Sequence, residues 1–498
     1  MSGMGSLGAP VAEAVSIGRN LANNAAAKPN APALTVSGKT LTYGELHKRT
    51  NRMARALLAR GVKLGDFVTI SMPNSHGFIE AEFALWKIGA TPQPVSYRLP
   101  PGELKAIIEL AKAPLVIGDN KAMDVGRPIV SPEELLAGSD DASDLPDAIT
   151  PHWKAPTSGG STGRPKLIVA GNPGVVAPGG ADSALWRYSG KDTVLMPGPL
   201  YHNAPFGLTA SAIHAGAHVI LTPKFDAEET LRLVQEHKVN WLYLVPTMMS
   251  RIWRVPGREN FDMSSLHTIW HMAAPCPPWL KEEWIGWIGG EKILELYGGT
   301  EAQTITVIDG NEWMAHKGSV GKPLALGEMK AFSADGKMLG PRETGEIFLR
   351  RDPSLPPSYH YVGADARTMA GGWESLGDIG WFDEDGYLYL ADRRTDMVLV
   401  GGSNVYPAEI EAALDEHPLV SSSAVIGLPH EDLGNALHAI IHPRPGLDIE
   451  DLQKHLAERL VTYKRPRTFE MVNEPVRDDA GKVRRTALRD ERIAKLKS

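Results

Sequence analysis

The stretch Thr157-Ser158-Gly159-Gly160-Ser161-Thr162-Gly163-Arg164-Pro165-Lys166 guides the interpretation of the whole chain. It combines glycines with hydroxyl and cationic side chains, and the apolar run Leu167-Ile168-Val169 follows it directly. Glycine lets backbone amides approach an anion closely, and successive amides with Ser, Thr, Arg and Lys donors suit phosphate oxygens. The pattern therefore predicts a polyphosphate-binding loop, with a flexible surface turn as the alternative. The G-x-x-x-x-G-K-[ST] spacing of a Walker loop is absent.

The composition is that of an ordinary globular chain, with 498 residues, 43% hydrophobic and 22% charged. This length suggests about three domains. The net charge of −7 argues against a nucleic-acid partner, because such surfaces are normally basic. The single cysteine, Cys276, excludes an internal disulfide framework and fits a reducing compartment. No signal peptide or long apolar run is visible, so we expect a soluble, cytoplasmic protein without a transmembrane segment, with peripheral membrane association left open.

Helix and strand patterns alternate through the first part of the chain. Thr42-Tyr43-Gly44-Glu45 is a capping box that opens a helix ending at Gly61, and a strand at 66–72 follows. A second unit repeats this rhythm, with strands at 194–196, 218–222 and 239–245 and a helix capped by Asp226. The order is typical of parallel α/β packing and predicts two related α/β subdomains side by side.

The pattern changes in the last third of the chain. Short alternating strands separated by Gly, Pro and Asp follow residue 318 and predict a small antiparallel β-layer or barrel. Beyond Asp396 the pattern is α+β, with a helix from Pro407 and strands at 423–426 and 436–442. We therefore predict an N-terminal domain at 1–394 and a C-terminal domain at 395–498.

Two further motifs carry groups that suit a nucleotide. In Tyr297-Gly298-Gly299-Thr300-Glu301, Thr300 offers a donor to phosphate and Glu301 offers oxygens to Mg²⁺, the alternative being the start of an exposed helix. Asp378 and Arg393 lie at the ends of successive predicted strands. Such a pair either binds ribose hydroxyls or forms a salt bridge on the surface.

Three isolated positions are ambiguous by themselves. Gly401-Gly402 permits close approach of a narrow ligand chain or forms a tight strand-to-helix turn. His202 follows the strand at 194–196, where α/β sheets place ligands, and either lines a substrate entrance or packs in the core. Lys482, in Gly481-Lys482-Val483-Arg484-Arg485, is a solvated charge unless movement of the small domain delivers it to the main site.

These motifs in this order resemble the adenylate-forming superfamily, which includes acyl-CoA synthetases, peptide-synthetase adenylation domains and firefly luciferase. The resemblance covers roughly residues 30–490 and rests on T-S-G-G-S-T-G-R-P-K, Y-G-G-T-E, G-D-I-G and G-K-V-R-R. It implies a large AMP-binding domain and a small mobile C-terminal domain. It also implies two steps. A carboxylate attacks the α-phosphate of ATP and releases pyrophosphate; the small domain then rotates, and a thiol attacks the acyl-adenylate and releases AMP.

The resemblance assigns roles to individual residues. ATP would be bound by Thr157, Ser158, Gly159, Gly160, Ser161, Thr162, Gly163, Lys166, Tyr297, Gly298, Gly299, Thr300, Asp378 and Arg393. Glu301 would hold Mg²⁺, and Lys482 would bridge the reacting carboxylate and the α-phosphate. His202 matches a position near the acyl entrance, and Gly401-Gly402 matches the element that meets the pantetheine of CoA. The chain departs from the family at its hinge, where Thr395 and Asp396 stand, at Asp392-Arg393 and at the extra Gly159.

The sequence also suggests a substrate class. No carrier domain follows Lys482, so free CoA is the expected acceptor. Trp270, Met272, Ala273 and Ala274 should lie near the acyl pocket by analogy, which favours a fatty, aryl-alkanoic or steroid side-chain acid. The run from Leu200 to Phe206 is similar to bile-acid CoA ligases. The expected partners are therefore a small carboxylic acid, ATP and CoA, with the protein a monomer or homodimer.

Three alternatives remain open at this point. The acyl-adenylate could pass to a carrier protein instead of CoA, or to oxygen in a luciferase-like reaction. A non-catalytic nucleotide-binding regulator should have lost Glu301, Asp378 or Lys482, and the chain keeps all of them.

Overall fold

The computed structural model describes residues 14–158, 165–177, 181–394, 396–478 and 481–497. The chain opens with an α/β unit whose elements are β1 (Val15–Ser16), α1 (Ile17–Ala27), β2 (Pro32–Val36), β3 (Lys39–Thr42), α2 (Tyr43–Ala59), β4 (Phe67–Ile70), α3 (His76–Lys87), β5 (Thr91–Pro94), α4 (Pro101–Ala111), β6 (Val116–Ile117), β7 (Ile129–Val130) and α5 (Pro132–Ala137). The predicted capping box is confirmed at α2: the Thr42 hydroxyl accepts from the Glu45 amide, and the Glu45 carboxylate accepts from the Thr42 amide. Strands β5-β4-β6-β7 form a parallel sheet.

The second unit surrounds a larger sheet. Its elements are β8 (Thr157–Ser158), β9 (Lys166–Ala170), β10 (Val175–Val176), α6 (Ala181–Trp186), β11 (Thr193–Met196), α7 (Asn203–Ala215), β12 (His218–Leu221), α8 (Ala227–His237), β13 (Trp241–Leu244), α9 (Pro246–Trp253), β14 (Thr268–Met272), α10 (Pro278–Ile288), β15 (Ile293–Tyr297), β16 (Thr306–Asp309), α11 (Gly310–Ala315) and β17 (Lys322–Pro323). The strand order is β17-β16-β15-β14-β13-β11-β12-β2-β3. Residues Trp241–Leu244 of β13 are all buried, as expected for a parallel strand covered on both faces.

The two α/β units are interlocked rather than simply adjacent. Strand β2 leaves the first unit and pairs in parallel with β12, and β3 forms the edge of the same large sheet. Sequence periodicity shows a strand but not its partner, so this exchange was not predicted.

An antiparallel β-layer follows, as predicted. Its strands are β18 (Gly327–Phe332), β19 (Gly345–Arg351), β20 (Tyr359–Val362), β21 (Arg367–Met369), β22 (Trp373–Phe382) and β23 (Leu388–Arg393). Strands β18-β19-β22-β21 form one sheet, with β23 beside β22. Strand β20 pairs instead with β9, directly after the predicted phosphate loop, so the layer is joined to that loop.

The C-terminal region has its own apolar core, built from residues of its helices and sheets such as Ile410, Val425 and Leu452. Its elements are β24 (Val398–Val400), β25 (Ser403–Val405), α12 (Pro407–Glu416), β26 (Val420–His430), β27 (Gly434–Pro443), α13 (Ile449–Arg459), β28 (Thr468–Met471) and α14 (Arg485–Lys497). The predicted class, a large α/β part with a β-layer and a small α+β part, is confirmed. The exact division at 394/395 stays a prediction.

One local prediction is corrected in this region. Gly401 and Gly402 do not join a strand to a helix but form the turn of the β24–β25 hairpin. Their φ angles are +54° and +82°, as in a type I′ two-residue hairpin turn, which requires positive φ at both central positions, a conformation that glycine adopts without strain.

The C-terminal region packs against the rest of the chain through a few polar contacts. The Arg254 guanidinium, at the end of α9, donates to the carbonyl oxygens of Val420 and Asp415, each at 2.7 Å. Arg484 lies 3.4 Å from Glu103 of α4. Within the described ranges no helix combines the length and apolar character needed to cross a membrane.

Candidate active site

The loop that carries Lys482 is held from behind by a buried ion-pair cluster. Glu411 of α12 is 2% exposed, and its Oε2 accepts from Arg477 and from Arg485, each at 2.6 Å. Arg477 also donates to the Gly481 carbonyl at 3.1 Å, and the Asp478 carboxylate accepts from the Lys482 amide at 2.9 Å. Because the cluster fixes the loop backbone, the Lys482 side chain is directed into the cleft between the two parts of the chain.

That cleft opens into a cavity of about 3240 Å³ with walls from both parts of the chain. Most of the residues that the sequence selected line it: Thr157, Lys166, His202, Met272, Ala273, Ala274, Tyr297, Gly298, Gly299, Thr300, Glu301, Asp378, Arg393, Asp396 and Lys482. The fold therefore brings together side chains from β8, β15, β22 and the C-terminal loop.

The double glycine after β15 is required by close packing. A Cβ on Gly298 would lie 2.7 Å from the Ile305 side chain, and one on Gly299 would lie 2.6 Å from both Leu376 and the Glu301 carboxylate. Real Cβ contacts are longer than this, so glycine lets the strand end pass its neighbours without displacing their side chains. Thr300 and Glu301 are thereby presented at the cavity surface.

Glu301 lies at the centre of a small charged group. It is 6% exposed; the Tyr361 hydroxyl donates to its Oε1 at 2.6 Å, and the Lys166 ammonium lies 3.9 Å from the same oxygen. Lys166 also stacks over the Tyr361 ring at 3.8 Å. Burial lowers the pKa of Lys166, and Glu301 opposes that shift. Burial, reinforced by Glu301, raises the pKa of Tyr361, so the phenol stays a donor.

The donors around Glu301 suit Mg²⁺ only when phosphate is also present. In the part of the chain that the structure describes, no group of three or more acidic, histidine or cysteine side chains is arranged to hold a metal ion by itself. Mg²⁺ is commonly held by one or two carboxylates together with substrate phosphates and water. A single buried carboxylate beside the predicted phosphate loop fits that pattern.

Asp378 and Arg393 form the pair that the sequence predicted. They are register partners on β22 and β23, and the Arg393 Nε lies 3.4 Å from Asp378 Oδ1. The Tyr297 hydroxyl donates to Asp378 Oδ2 at 2.7 Å. Burial, with the nearby Asp378 carboxylate, raises the pKa of Tyr297 well above its ordinary value. The carboxylate is thus held in place by a phenol and a guanidinium at the cavity wall.

Lys482 projects into this charged environment. Partial burial lowers the pKa of its ammonium, and Arg393 lowers it further, whereas Asp478 and Glu301 raise it. The side chain remains accessible from the cleft. A cation is therefore held among groups of both signs, where a negatively charged ligand would be attracted.

His202 is the N-cap residue of α7, and its ring lies 4.6 Å from that of Tyr201. Burial, with Lys482 nearby, lowers the pKa of His202 to about 3, so the imidazole is neutral at physiological pH. Its Nε2 is buried and has no hydrogen-bond partner among the described residues. The histidine therefore lines the wall as an uncharged ring and not as an ion-pair partner.

Of the predicted acyl-pocket residues, Trp270 does not reach the cavity. It is fully buried in β14, and its indole N–H donates to the Trp186 carbonyl at 3.2 Å. The Trp186 ring, 5.2 Å away, lines the cavity in its place. Trp270 and Met272 share a face of β14, but only the carboxyl end of the strand opens into the cavity.

The remaining predicted residues fall in three groups. Gly401 and Gly402 lie exposed on the hairpin turn, outside the cavity lining. Asp396 pairs with Arg485 at 2.7 Å, and Ser158 pairs with Lys166 across β8 and β9. Gly159, Gly160, Ser161, Thr162, Gly163 and Thr395 lie outside the described residues.

Several site features were not predicted. Ala273 and Ala302 line the cavity with φ of +75° and +50°, a left-handed conformation that costs energy for a residue with a Cβ and that recurs at functional sites. The sequence carries no signal for either. Tyr361 sits on a β-strand facing Glu301. For Lys154, only its charge beside Trp153 could have been noticed in the sequence.

The cavity continues along one face of α7, and we call this part the α7 branch. It is lined by Trp153 and Lys154 and by the α7 residues Asn203, Ala204, Pro205, Gly207, Leu208, Ala210, Ser211, His214 and Ala215. The α7 residues recur at helical spacing and most are small, so the helix leaves space along several turns. Gly207 packs closely against Trp153, since a Cβ there would lie 3.2 Å from the indole ring.

Comparison with known proteins agrees with this geometry. A family model described as AMP-binding enzyme matches residues 21–360, and one described as AMP-binding enzyme C-terminal domain matches residues 409–482. A fatty acid–[acyl-carrier-protein] ligase, ScoC, from Streptomyces coeruleorubidus is 30% identical, with 93% of this chain and 94% of that protein covered. A feruloyl-CoA synthase from Amycolatopsis is 31% identical, with 91% and 94% covered.

Solved structures give the same result. The o-succinylbenzoate CoA synthetase MenE from Bacillus subtilis, in complex with the acyl-adenylate OSB-AMP, superimposes with a TM-score of 0.81 at 25% identity, covering 96% of this chain and 98% of that one. The same synthetase in complex with ATP and magnesium gives a TM-score of 0.79 at 25% identity, covering 94% and 98%. The resemblance drawn from the motifs is confirmed, and the chain belongs to the AMP-binding enzyme family.

Proposed function

We propose that the chain is an AMP-forming acid–thiol ligase that converts a bulky carboxylic acid to its CoA thioester through an acyl-adenylate. The observation that carries the proposal is the position of Lys482. A lysine from the C-terminal region projects into the cavity that Glu301, Asp378 and Arg393 line. A regulator that only bound nucleotide would not need this cation at the junction of the two parts.

In the first step the carboxylate oxygen attacks the α-phosphorus of ATP, and the bond to pyrophosphate breaks. Asp378 accepts hydrogen bonds from the ribose hydroxyls, and Lys166 with the rest of the predicted loop binds the outer phosphates. Lys482 offsets the repulsion between the carboxylate and the α-phosphate, and Thr300 donates to an α-phosphate oxygen. Glu301 would hold a Mg²⁺, which when bound would supply positive charge beside the phosphates. Most of the rate gain comes from positioning and charge stabilisation.

In the second step the CoA thiolate attacks the acyl carbonyl, and AMP leaves. We infer that the C-terminal region rotates between the steps, because Gly401 and Gly402 lie outside the cavity in the present arrangement. Rotation would break the Arg254 hydrogen bonds to the carbonyls of Val420 and Asp415 and separate Arg484 from Glu103. Asp396 and Thr395 remain the proposed hinge.

The α7 branch is the proposed acyl site. Its small side chains leave room for a large acid, and Met272, Ala273 and Ala274 border the same cavity. The named relatives act on ferulic, succinylbenzoic and fatty acids, which favours an aryl or fatty acid here. They give no support to the bile-acid assignment.

The test is pyrophosphate exchange into ATP across a panel of fatty, aryl-alkanoic and steroid acids, followed by addition of CoA. We expect exchange with one or more bulky acids and thioester formation when CoA is added. Exchange with no acid in the panel would contradict the proposal.

The role of Lys482 is tested separately with Lys482→Ala. We expect adenylation to be lost while thioester formation from preformed acyl-adenylate persists. Lys454→Ala, which removes an exposed lysine of α13, is the matched control and should retain both half-reactions. Two intact half-reactions in Lys482→Ala would contradict the assigned role.

A carrier protein is the second candidate acceptor, because ScoC acts on an acyl-carrier protein. The same acyl-adenylate chemistry would serve it. Offering CoA and a holo-acyl-carrier protein in parallel distinguishes the two, since thioester should accumulate only on the true acceptor.

A further inference from the structure

The α7 branch contains a buried charge that the reaction described above does not use. Lys154 is 7% exposed and borders the cavity. Its backbone is fixed on both sides: its carbonyl accepts from the Ala170 amide at 3.0 Å, and the next amide, of Ala155, donates to Pro92 at 3.1 Å. The segment is therefore extended and anchored, and the lysine side chain is held in place by the sheet.

Few groups of the protein offset the positive charge of the Lys154 ammonium. It donates to the side-chain oxygen of Asn203 and lies 4.2 Å from the centre of the Trp153 ring. Within the described ranges, no carboxylate lies within ion-pair distance of it; Glu301 acts on it only from farther away. Burial lowers the pKa of Lys154 to about 7. An isolated buried charge is costly, so such groups usually have an opposite charge beside them.

A second source of positive potential lies next to this lysine. Asn203 is the first residue of α7, a helix of 13 residues whose N-terminus has no side-chain cap. The amino end of a helix carries partial positive charge and free amides, which favour an anion. The adjacent His202 presents a buried Nε2 with no hydrogen-bond partner among the described residues. Lysine, helix end and imidazole thus converge on one region of the cavity wall.

Lys154 and Lys482 have different surroundings, although the charge of Glu301 acts on both. The charge of Lys482 acts on His202, the N-cap residue of α7. The charges that act on Lys482 are those of Arg393, Asp478 and Glu301. Lys154 lies against Trp153, which packs on Gly207 of α7, and the charge that acts on it is that of Glu301 and not that of Lys482. The two lysines therefore have different partners: Lys482 lies among Arg393, Asp478 and Glu301, and Lys154 contacts Asn203 and Trp153.

We propose that Lys154, with Asn203 and the amino end of α7, binds a second carboxylate of the acid, so that the substrate is a bulky dicarboxylic acid activated at one end only. This inference rests on the proposed function and specifies its substrate class. The second carboxylate accepts hydrogen bonds from the ammonium and from the free helix amides, and the chain between the carboxylates lies along the small residues of α7. An acid with an apolar end leaves the cation uncompensated and binds less well.

The experiment compares matched acids that differ only in the second carboxylate: decanedioate with decanoate, and phenylpropanoate with and without a para-carboxylate. The readout is the ratio of kcat/KM, diacid to monoacid, in pyrophosphate exchange. We expect a ratio above ten in the unmodified protein and a fall of at least tenfold in Lys154→Met, which keeps the side-chain length. Lys191→Met, which removes an exposed lysine outside the cavity, should keep the ratio.

Two results of the exchange assay would overturn the proposal. A ratio near one in the unmodified protein removes the preference, and an equal loss for both acids in Lys154→Met assigns the lysine to the reacting carboxylate or to folding. Exchange with monoacids but no diacid preference refutes this inference and leaves the proposed function standing. Thermal shift with decanedioate gives a readout without turnover: we expect stabilisation of the unmodified protein and none of Lys154→Met. No shift in either protein also counts against the site.

Discussion

Arg477 controls the position of the proposed catalytic lysine, and its replacement by methionine is the sharpest test of the loop geometry. The guanidinium spans three acceptors: the Ser423 carbonyl at 3.1 Å, the Glu411 carboxylate at 2.6 Å and the Gly481 carbonyl at 3.1 Å. The last contact is one residue from Lys482. Arg477→Met keeps the apolar stem but removes all three bonds, so the loop loses its anchor.

The expected loss follows from the strength of that anchor. A hydrogen bond to a charged group contributes about 1.5–3 kcal/mol. Part of this is recovered, because Arg485 still pairs with Glu411. If the contact with Gly481 supplies about 1.5–3 kcal/mol to holding Lys482 in place, adenylation should fall about 10- to 100-fold, at ~1.4 kcal/mol for each factor of ten.

The assay separates the half-reactions. Pyrophosphate exchange at saturating ATP should show this fall in kcat, whereas thioester formation from preformed acyl-adenylate should change less than threefold. Arg489→Met, on the exposed face of α14, is the control and should match the unmodified protein in both. Circular dichroism checks that the variant is folded. Exchange within twofold of the control, in a folded Arg477→Met, would refute the reasoning.

Three further outcomes follow from other contacts. Arg254→Ala removes the hydrogen bonds to the Val420 and Asp415 carbonyls. It should lower the rate of adenylation several-fold without slowing the CoA step, when the two half-reactions are measured separately. Equal slowing of both half-reactions would contradict this. Gly207→Leu should fill the α7 branch next to Trp153. The KM for bulky acids should then rise at least tenfold, whereas the KM for acetate should not change. Steady-state kinetics with acids of increasing chain length would test this. The pKa of Lys154 is near 7 in the folded protein, against an ordinary value of 10.5. Burying the charged ammonium therefore does not lower the free energy of unfolding above pH 10.5. The loss grows as the pH falls towards 7, where it reaches about 4–5 kcal/mol. Lys154→Met should therefore raise the apparent melting temperature more at pH 7 than at pH 9.5, and an advantage that does not change with pH would contradict the assigned burial.

The parts of the fold that depend on neighbouring residues were predictable. The capping box at Thr42 and Glu45 is fixed within one helical turn. Asp378 and Arg393 meet because they face each other on successive antiparallel strands, although Asp378 lies inside β22 and not at its end as predicted. The sheet to which β2 belongs was not predictable, because its partner β12 lies far along the chain. Pairing over that distance leaves no local pattern.

The depth at which Trp270 is buried and the charges around Lys154 could also not be predicted from the sequence. The alternation of side chains in β14 predicts the face of the strand on which Trp270 lies. It does not predict that the Trp186 ring packs against Trp270 and separates it from the cavity. The setting of Lys154 depends on α7, which approaches from a different part of the chain. A single sequence identifies a lysine there but not the absence of a carboxylate beside it.

The contact between Arg254 and the C-terminal region has a consequence for how such chains diversify. Both acceptors are main-chain carbonyls, those of Val420 and Asp415, so the side chains at these positions are not part of the bond. The partner surface is therefore specified by backbone shape and places little demand on sequence. A C-terminal region from a relative with the same backbone should dock on this arginine, which makes the boundary a suitable point for recombining domains between ligases of different specificity.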